Sequence, residues 1–259
     1  MKRARILVDG REETAILVEP DVLLDGKGRR HSPDKVRFLA PVVPGKILGL
    51  ALNYSDHATE LGLDTPSDPA IFFKPTTSLI GNRESIIYPT GVEYMHYENE
   101  LAVVIGQKCR RVRAVDAMAV IAGYTIANDV TVRDFVTNLF RPPVKAKGWD
   151  TFLPMGPYLV EDEVADPHDL ELRTYVNGEL RQSGRTQDLL IKIPEFIEYV
   201  SEFMTLEVGD VLLTGTPKGL SHVHPNDQLR LEIDQLGALE CSVVAEVANG
   251  KLEVAAWPR

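Results

Sequence analysis

Cysteine is scarce: Cys109 and Cys241 are the only two in 259 residues. No CxxC or other ligand spacing involves them. Neither a disulfide framework nor a structural zinc site is expected, and both thiols read as buried or half-buried in a reducing compartment. No run of about 18 apolar residues is present, so no transmembrane helix is expected. The N-terminal MKRARILVDGREE starts basic but has no continuous apolar stretch, so it does not read as a signal peptide. Positive charge is short as well. Lys and Arg number 28 against 38 Asp and Glu, giving a net charge of −10 and a pI near 5.1. This argues against nucleic acid or an anionic membrane as partner. An anionic small substrate stays open, because a few cations or a metal reverse the field locally. There is no internal repeat and no low-complexity segment. A phosphate-cradling loop is also missing: LLTGTPKGL (212–220) has glycine and lysine without the G-x-x-x-x-G-K-[ST] spacing. What is there is ordinary for a soluble globular enzyme of the cytoplasm, 44% hydrophobic and 25% charged, with enough apolar material for a substantial core.

The order of elements predicts an α+β chain, mainly β. Residues 1–45 read as short strands and turns that end in PVVPG (41–45), a small N-terminal β domain before a main domain over 46–259. Strands are expected at 46–52, 70–73, 85–88, 98–105, 123–128, 211–214, 228–233 and 238–247. A hairpin is expected over 170–183 around Asn177-Gly178, a strong type I′ signal. Helices are expected over 53–61, 115–121, 131–139 and 193–203. The stretch 140–157, with its prolines and glycines, reads as an irregular loop that carries Arg141, Lys145 and Lys147.

Four clusters can carry chemistry. In HYENELAVVIG (96–106), Glu98 and Glu100 stand two apart, so a strand puts both on one face. Taken alone, the stretch equally fits an exposed strand whose glutamates face water. The sharper reading is a pair of hard oxygen ligands, whose repulsion a divalent cation turns into attraction. Asp129, at the end of another apolar strand, offers a third carboxylate; taken alone it reads as a helix N-cap. His57 and Glu60, three apart, share a helical face and can form an acid/base pair, although a surface contact is the commoner cause of such spacing. The basic loop 140–157 is either solvated or a cradle for an anion. In 212–220, a Thr-Gly-Thr turn can offer amides and hydroxyls to a carboxylate.

The order of these motifs is specific. Strand-NYxxHxxE, FFKP, HYExEL, NDxTxRD, AKxxDTFxPxGP, VNGELRQ and TGTPxGL, in that sequence, resemble the fumarylacetoacetate hydrolase family from about Lys46 to the C-terminus. LRTYVNGELRQSGRTQDLL and SEFMTLEVGDVLLTGTPKGL resemble one branch of it more closely, the isomerases and decarboxylases of the homoprotocatechuate pathway. The resemblance implies a mixed β-roll of the fumarylacetoacetate hydrolase C-terminal type behind the small N-terminal domain, usually as a homodimer. It implies Mg²⁺ or Mn²⁺ held by Glu98, Glu100 and Asp129, and His57 and Glu60 as the acid/base pair on a lid. It implies Lys147 at the oxo-acid end of the substrate, Arg133 facing the substrate, Thr216 binding carboxylate, and Tyr54 and Lys74 at further motif positions. The implied reaction is isomerisation or decarboxylation of a 2-oxo-ene dioate, a small 2-oxo acid dianion, through a metal-stabilised enolate. Acylpyruvate hydrolysis or oxaloacetate decarboxylation on the same scaffold is the alternative. The carbon–carbon hydrolases of the family carry a further metal-binding aspartate before the acid/base pair. Here 51–54 reads ALNY, which points away from hydrolysis of fumarylacetoacetate itself. Val136 stands where some short acylpyruvate-cleaving members have glutamine.

Overall fold

The apolar run LAVVI is flanked by the glutamates, and its continuity rather than alternation marks a strand covered on both faces. In the computed structural model, which describes residues 1–60, 68–136 and 142–247 but not the side chains of residues 57 and 58, this run lies in the strand Asn99–Ile105, buried throughout. It pairs antiparallel with Ile121–Asn128 and with Val211–Leu213. Val211–Leu213 pairs in parallel with Ile47–Ala51, which pairs with Ala70–Lys74. On the other side, Ile121–Asn128 pairs with Leu153–Val160, and that strand with Lys2–Val8. The N-terminal strands therefore continue the large sheet while keeping a small core of their own, Ala4, Ile6, Ala15, Leu23 and Phe38.

A second, five-stranded sheet runs through Glu179–Arg185, Glu171–Val176, Gln228–Ile233, Gly237–Ala245 and Ser85–Tyr88. Leu101, Val103 and Ile105 share one core with Leu172, Leu231 and Val243 of that sheet. Ala102 and Val104 face the opposite way, into a second core with Ile47, Ala127, Met155 and Leu213. Each fully buried Leu, Ile or Val contributes roughly 1.5–3 kcal/mol. The period of two is thus fixed from both sides, and a slip by one residue would expose both sets.

The strands follow the expectations closely, and the molecule is mostly β with several sheets. The helix Ile193–Phe203 and the hairpin turn at Asn177 and Gly178, with φ of 52° and 84°, lie where the sequence puts them. Two expectations are corrected. The segment 131–136 is not helical: Thr131–Val132 is a short strand paired with Met95–His96, followed by one 3-10 turn, Arg133–Phe135. The Arg133 amide bonds Tyr94 O at 2.8 Å, and β-branched Thr131 and Val132 suit the extended pairing. The remainder of that expected helix, 137–139, lies outside the described residues. The expected loop over 140–157 is also more regular. Behind Pro142 and Pro143 a four-residue helix, Val144–Lys147, forms, and Leu153–Val160 is a buried strand despite Pro154 and Pro157.

Candidate active site

Asn99 sends its amide toward the five-stranded sheet, donating to Arg173 O at 3.0 Å and Glu232 O at 3.2 Å. Its neighbours Glu98 and Glu100 consequently face the other way, on the side of Ala102 and Val104. Ala127 pairs with Glu100, and Asp129 follows two residues on, so its carboxylate joins that face. Glu98, Glu100 and Asp129 are all buried, and one ligand oxygen from each lies within 4.8 Å of the others. Glutamates on a strand facing water are thereby excluded. Asp129 does not cap a helix; both of its oxygens accept from lysines.

Two ammonium groups meet these three carboxylates. Lys147, at the end of the short helix behind the two prolines, donates to Glu98 Oε2 at 3.0 Å, to Asp129 Oδ2 and to Thr131 Oγ1 at 2.8 Å. Burial works to lower its pKa, but Asp129, Glu98 and Glu100 hold it above the ordinary lysine value. Its Nζ also lies 4.6 Å over the Phe72 ring. Lys74 shares a face with its strand partner Ile47 and is fully buried. It donates to Asp129 Oδ1 at 2.6 Å, to Lys147 O at 2.6 Å and to Val130 O at 3.3 Å. Burial lowers its pKa, and Asp129 opposes that shift. All three of its protons are directed at protein oxygens.

Glu100 has no ammonium partner among the described residues. Its one hydrogen bond there comes from the Gly215 amide, at 2.6 Å. Burial, then Asp129 and Glu98, push its pKa well above the ordinary value. Gly215 is in the left-handed region, φ 95°, and a Cβ there would lie 2.9 Å from Asn53 Cβ, so a side chain is excluded. Asn53 anchors this turn by donating to Thr214 O at 2.9 Å and to Ile191 O at 3.0 Å. Three carboxylates against two ammoniums, with Glu100 left without an ammonium partner among the described residues, fit a hard divalent cation with oxygen ligands.

The other expected residues gather around this centre to different degrees. Tyr54 is fully buried, and its hydroxyl has no partner among the described residues. Burial, then the charge of Glu100, raise its pKa well above the ordinary value and keep it a neutral donor. Glu60, in the helix Ser55–Glu60, accepts from the Gly219 amide at 3.0 Å, tying that helix to the turn after Leu213. The His57 side chain lies outside the described residues, and so do Arg141 and Gly62, the expected helix stop. Thr216 is buried and accepts a hydrogen bond from Gln182. Arg133 is half-buried and forms no ion pair with any described residue. Lys145 is exposed, with its Nζ 4.0 Å over the Phe135 ring.

Sequence reasoning missed three supporting side chains. Thr131 donates to Glu98 Oε1 at 3.0 Å. His96 is fully buried, with Nδ1 3.7 Å from Glu98 Oε1 and a pKa pushed down to about 3 by burial, so the ring is neutral at pH 7. Asn53 holds the Gly215 turn. Thr131 and His96 stand inside the motifs that drew attention to the glutamates, and their polarity within apolar strands was the available signal.

Comparison with known proteins agrees with this geometry. The chain is 49% identical over 246 residues to the 4-hydroxyphenylacetate degradation bifunctional isomerase/decarboxylase of Salmonella dublin, a match over 94% of this chain and 56% of that relative. The chain thus spans little more than half the length of that relative. The crystal structure of 5-carboxymethyl-2-hydroxymuconate delta-isomerase from Mycobacterium smegmatis is 40% identical, with a TM-score of 0.86, over 95% of this chain and 100% of that one. Maleylpyruvate hydrolase from Sphingobium sp. SYK-6, in complex with manganese (II) ion and pyruvate, is 31% identical with a TM-score of 0.80 and the same coverage. Residues 46–244 match the family model described as fumarylacetoacetate (FAA) hydrolase C-terminal, and the chain belongs to that family.

Proposed function

We propose that this chain is a divalent-metal-dependent isomerase or decarboxylase of 2-oxo-ene dioates. The observation that carries the reading is the buried Glu98, Glu100 and Asp129 set with Lys147 bonded into it. Identity to a bifunctional isomerase/decarboxylase and to a delta-isomerase supports the reaction class. A cation held by Glu98, Glu100 and Asp129 would supply Lewis acidity toward a 2-oxo acid. Mg²⁺ and Mn²⁺ both suit such oxygens, and a manganese-bound relative supports the choice.

The chain's own residues divide the remaining work. Lys147, held protonated by its carboxylate neighbours, offsets negative charge that develops on the substrate's C2 oxygen. Lys74, with its protons committed, fixes Asp129 and the backbone of Lys147 rather than touching substrate. His57 and Glu60 form the acid/base pair, moving a proton between the dienol oxygen or C3 and C5; the Gly219 amide steadies Glu60. Thr216 and Tyr54 donate to the near carboxylate, and Arg133, which forms no ion pair with any described residue, meets the far one. The reading includes a homodimer and a cytoplasmic location. No helix among the described residues is long and apolar enough to cross a membrane. It also includes a small N-terminal unit over 1–45, which ends where the family match begins.

Incubating the purified protein with 2-hydroxyhepta-2,4-diene-1,7-dioate and Mn²⁺ should change the ultraviolet absorbance of the conjugated diene. No change, together with pyruvate release from acylpyruvates in a coupled assay, would move the assignment to the hydrolase alternative.

A further inference from the structure

Gln182 is a polar amide at an inward position of its strand, where an apolar side chain is the ordinary choice. In Glu179–Arg185 its neighbours Arg181 and Ser183 are exposed, yet Gln182 is only 1% exposed. A buried amide needs partners for two donors and an acceptor. Gln182 finds them: Nε2 lies 2.8 Å from Pro217 O and 2.8 Å from Thr216 Oγ1, and Oε1 lies 2.9 Å from Thr174 Oγ1. The orientation of the amide is decided by Pro217. A backbone carbonyl only accepts, so the group facing it must be the NH₂. The same NH₂ directs its second hydrogen at Thr216 Oγ1. Thr216 therefore accepts from Gln182, and its own hydroxyl hydrogen must go elsewhere. No described residue accepts it.

The turn that carries Thr216 is the one whose Gly215 amide bonds Glu100, and whose Gly219 amide bonds Glu60. The strand and the turn are in direct contact: a Cβ on Gly184 would lie 2.4 Å from Pro217 Cβ. A Cβ on Gly219 would likewise lie 2.7 Å from Arg181 O and 2.9 Å from Gln182 Cα, so the turn packs against the strand backbone at Gln182 itself. We infer that Gln182 is a positioning residue, which fixes the Thr216 hydroxyl as a hydrogen-bond donor to the anionic group of a 2-oxo acid bound at the carboxylate centre. This rests on the reading under Proposed function. Thr174 completes the relay, since its hydroxyl donates to Gln182 Oε1 and holds the amide in that sense.

Calorimetry with oxalate, on Mn²⁺-loaded protein, tests it. Gln182→Met keeps the length of the side chain and removes its hydrogen bonds. Gln182→Glu replaces the donor by an acceptor for the Thr216 hydroxyl. Both should weaken oxalate about tenfold or more, the size of a lost hydrogen bond to a charged group. Thr216→Val should do the same, and Gln182→Met/Thr216→Val should be no weaker than either single variant. Wild-type affinity in both Gln182 variants, or additive losses in the double variant, would overturn the inference. Neutron diffraction of the deuterated wild-type protein is the substrate-independent arm. The deuteron on Thr216 Oγ1 should point away from Gln182, and a deuteron directed at Gln182 overturns the assignment. A wild-type protein that binds Mn²⁺ but not oxalate contradicts the 2-oxo acid reading and Thr216's role in it, while the neutron density still decides the polarity set by Gln182.

Discussion

Lys74 and Lys147 lie within hydrogen-bonding distance of the same aspartate, but their surroundings separate them. Burial dominates at Lys74 and lowers its pKa, whereas three carboxylates overcome burial at Lys147 and raise it. Lys74→Met would leave Val130 O and Lys147 O without their donor and remove one cation from Asp129. Urea unfolding in EDTA should register a loss of about 3–5 kcal/mol, as for breaking a buried ion pair by removing one partner. A loss under 1 kcal/mol would mean that the ammonium is not the brace described here. The glutamates themselves were legible in HYENELAVVIG because alternation in a strand is a strict geometric rule. The role of Asp129 was legible only through the order of the motifs, since by itself an acid after a strand looks the same whether it caps a helix or joins a buried carboxylate set. Only the strand Ala70–Lys74 and the short helix Val144–Lys147 bring Lys74 and Lys147 to it, from 55 and 18 residues away in sequence.

At the scale of elements, long periodic segments could be read and short ones could not. The apolar face of Ile193–Phe203 and the Asn177-Gly178 turn are local features, and both formed as expected. Thr131–Val132 became a strand because Met95–His96 lies beside it, a pairing of distant segments that overrides local preference. The crossing of Ile47–Ala51 and Ala70–Lys74 is similarly tight: a Cβ on Gly49 would lie 2.2 Å from Phe72 Cζ. Gly49→Ala must displace the ring beneath Lys147. It should cost about 1–3 kcal/mol of stability and reduce turnover as well. Unchanged turnover in a correctly folded variant would detach Phe72 from the site. Farther away, Asp25 accepts from His31 Nε2 at 2.8 Å, from Arg29 Nε at 2.7 Å and from the amides of residues 27 and 29. The His31 contact first, then the Arg29 bonds, hold its pKa well below the ordinary 3.8. The unfolded chain protonates this group near pH 3.8 and the folded chain only at lower pH. Its contribution is therefore present above that value and is lost as the pH falls below it. Asp25→Asn should lower stability at pH 7 and flatten the acid-side decline; an acid limb identical to wild type would contradict the assignment.

Over the whole molecule, two sheets enclose one core, and the far face of the larger sheet carries the chemistry. The same alternation serves both ends. Asn99, Leu101 and Val103 knit the sheets together, while Glu98, Glu100 and Ala102 turn to the other side. Three acids meet there, where a cation can use them. The central claim is that Glu98, Glu100 and Asp129 form one divalent-cation site, and calorimetric titration of EDTA-treated protein with Mn²⁺ tests it most directly. The account predicts one ion per chain. Glu98→Gln, Glu100→Gln and Asp129→Asn should each weaken it by at least about 100-fold, the upper end for loss of a mere outer-shell partner. A wild-type chain that takes up no ion, or a Glu100→Gln variant that binds it with unchanged affinity, would contradict the account.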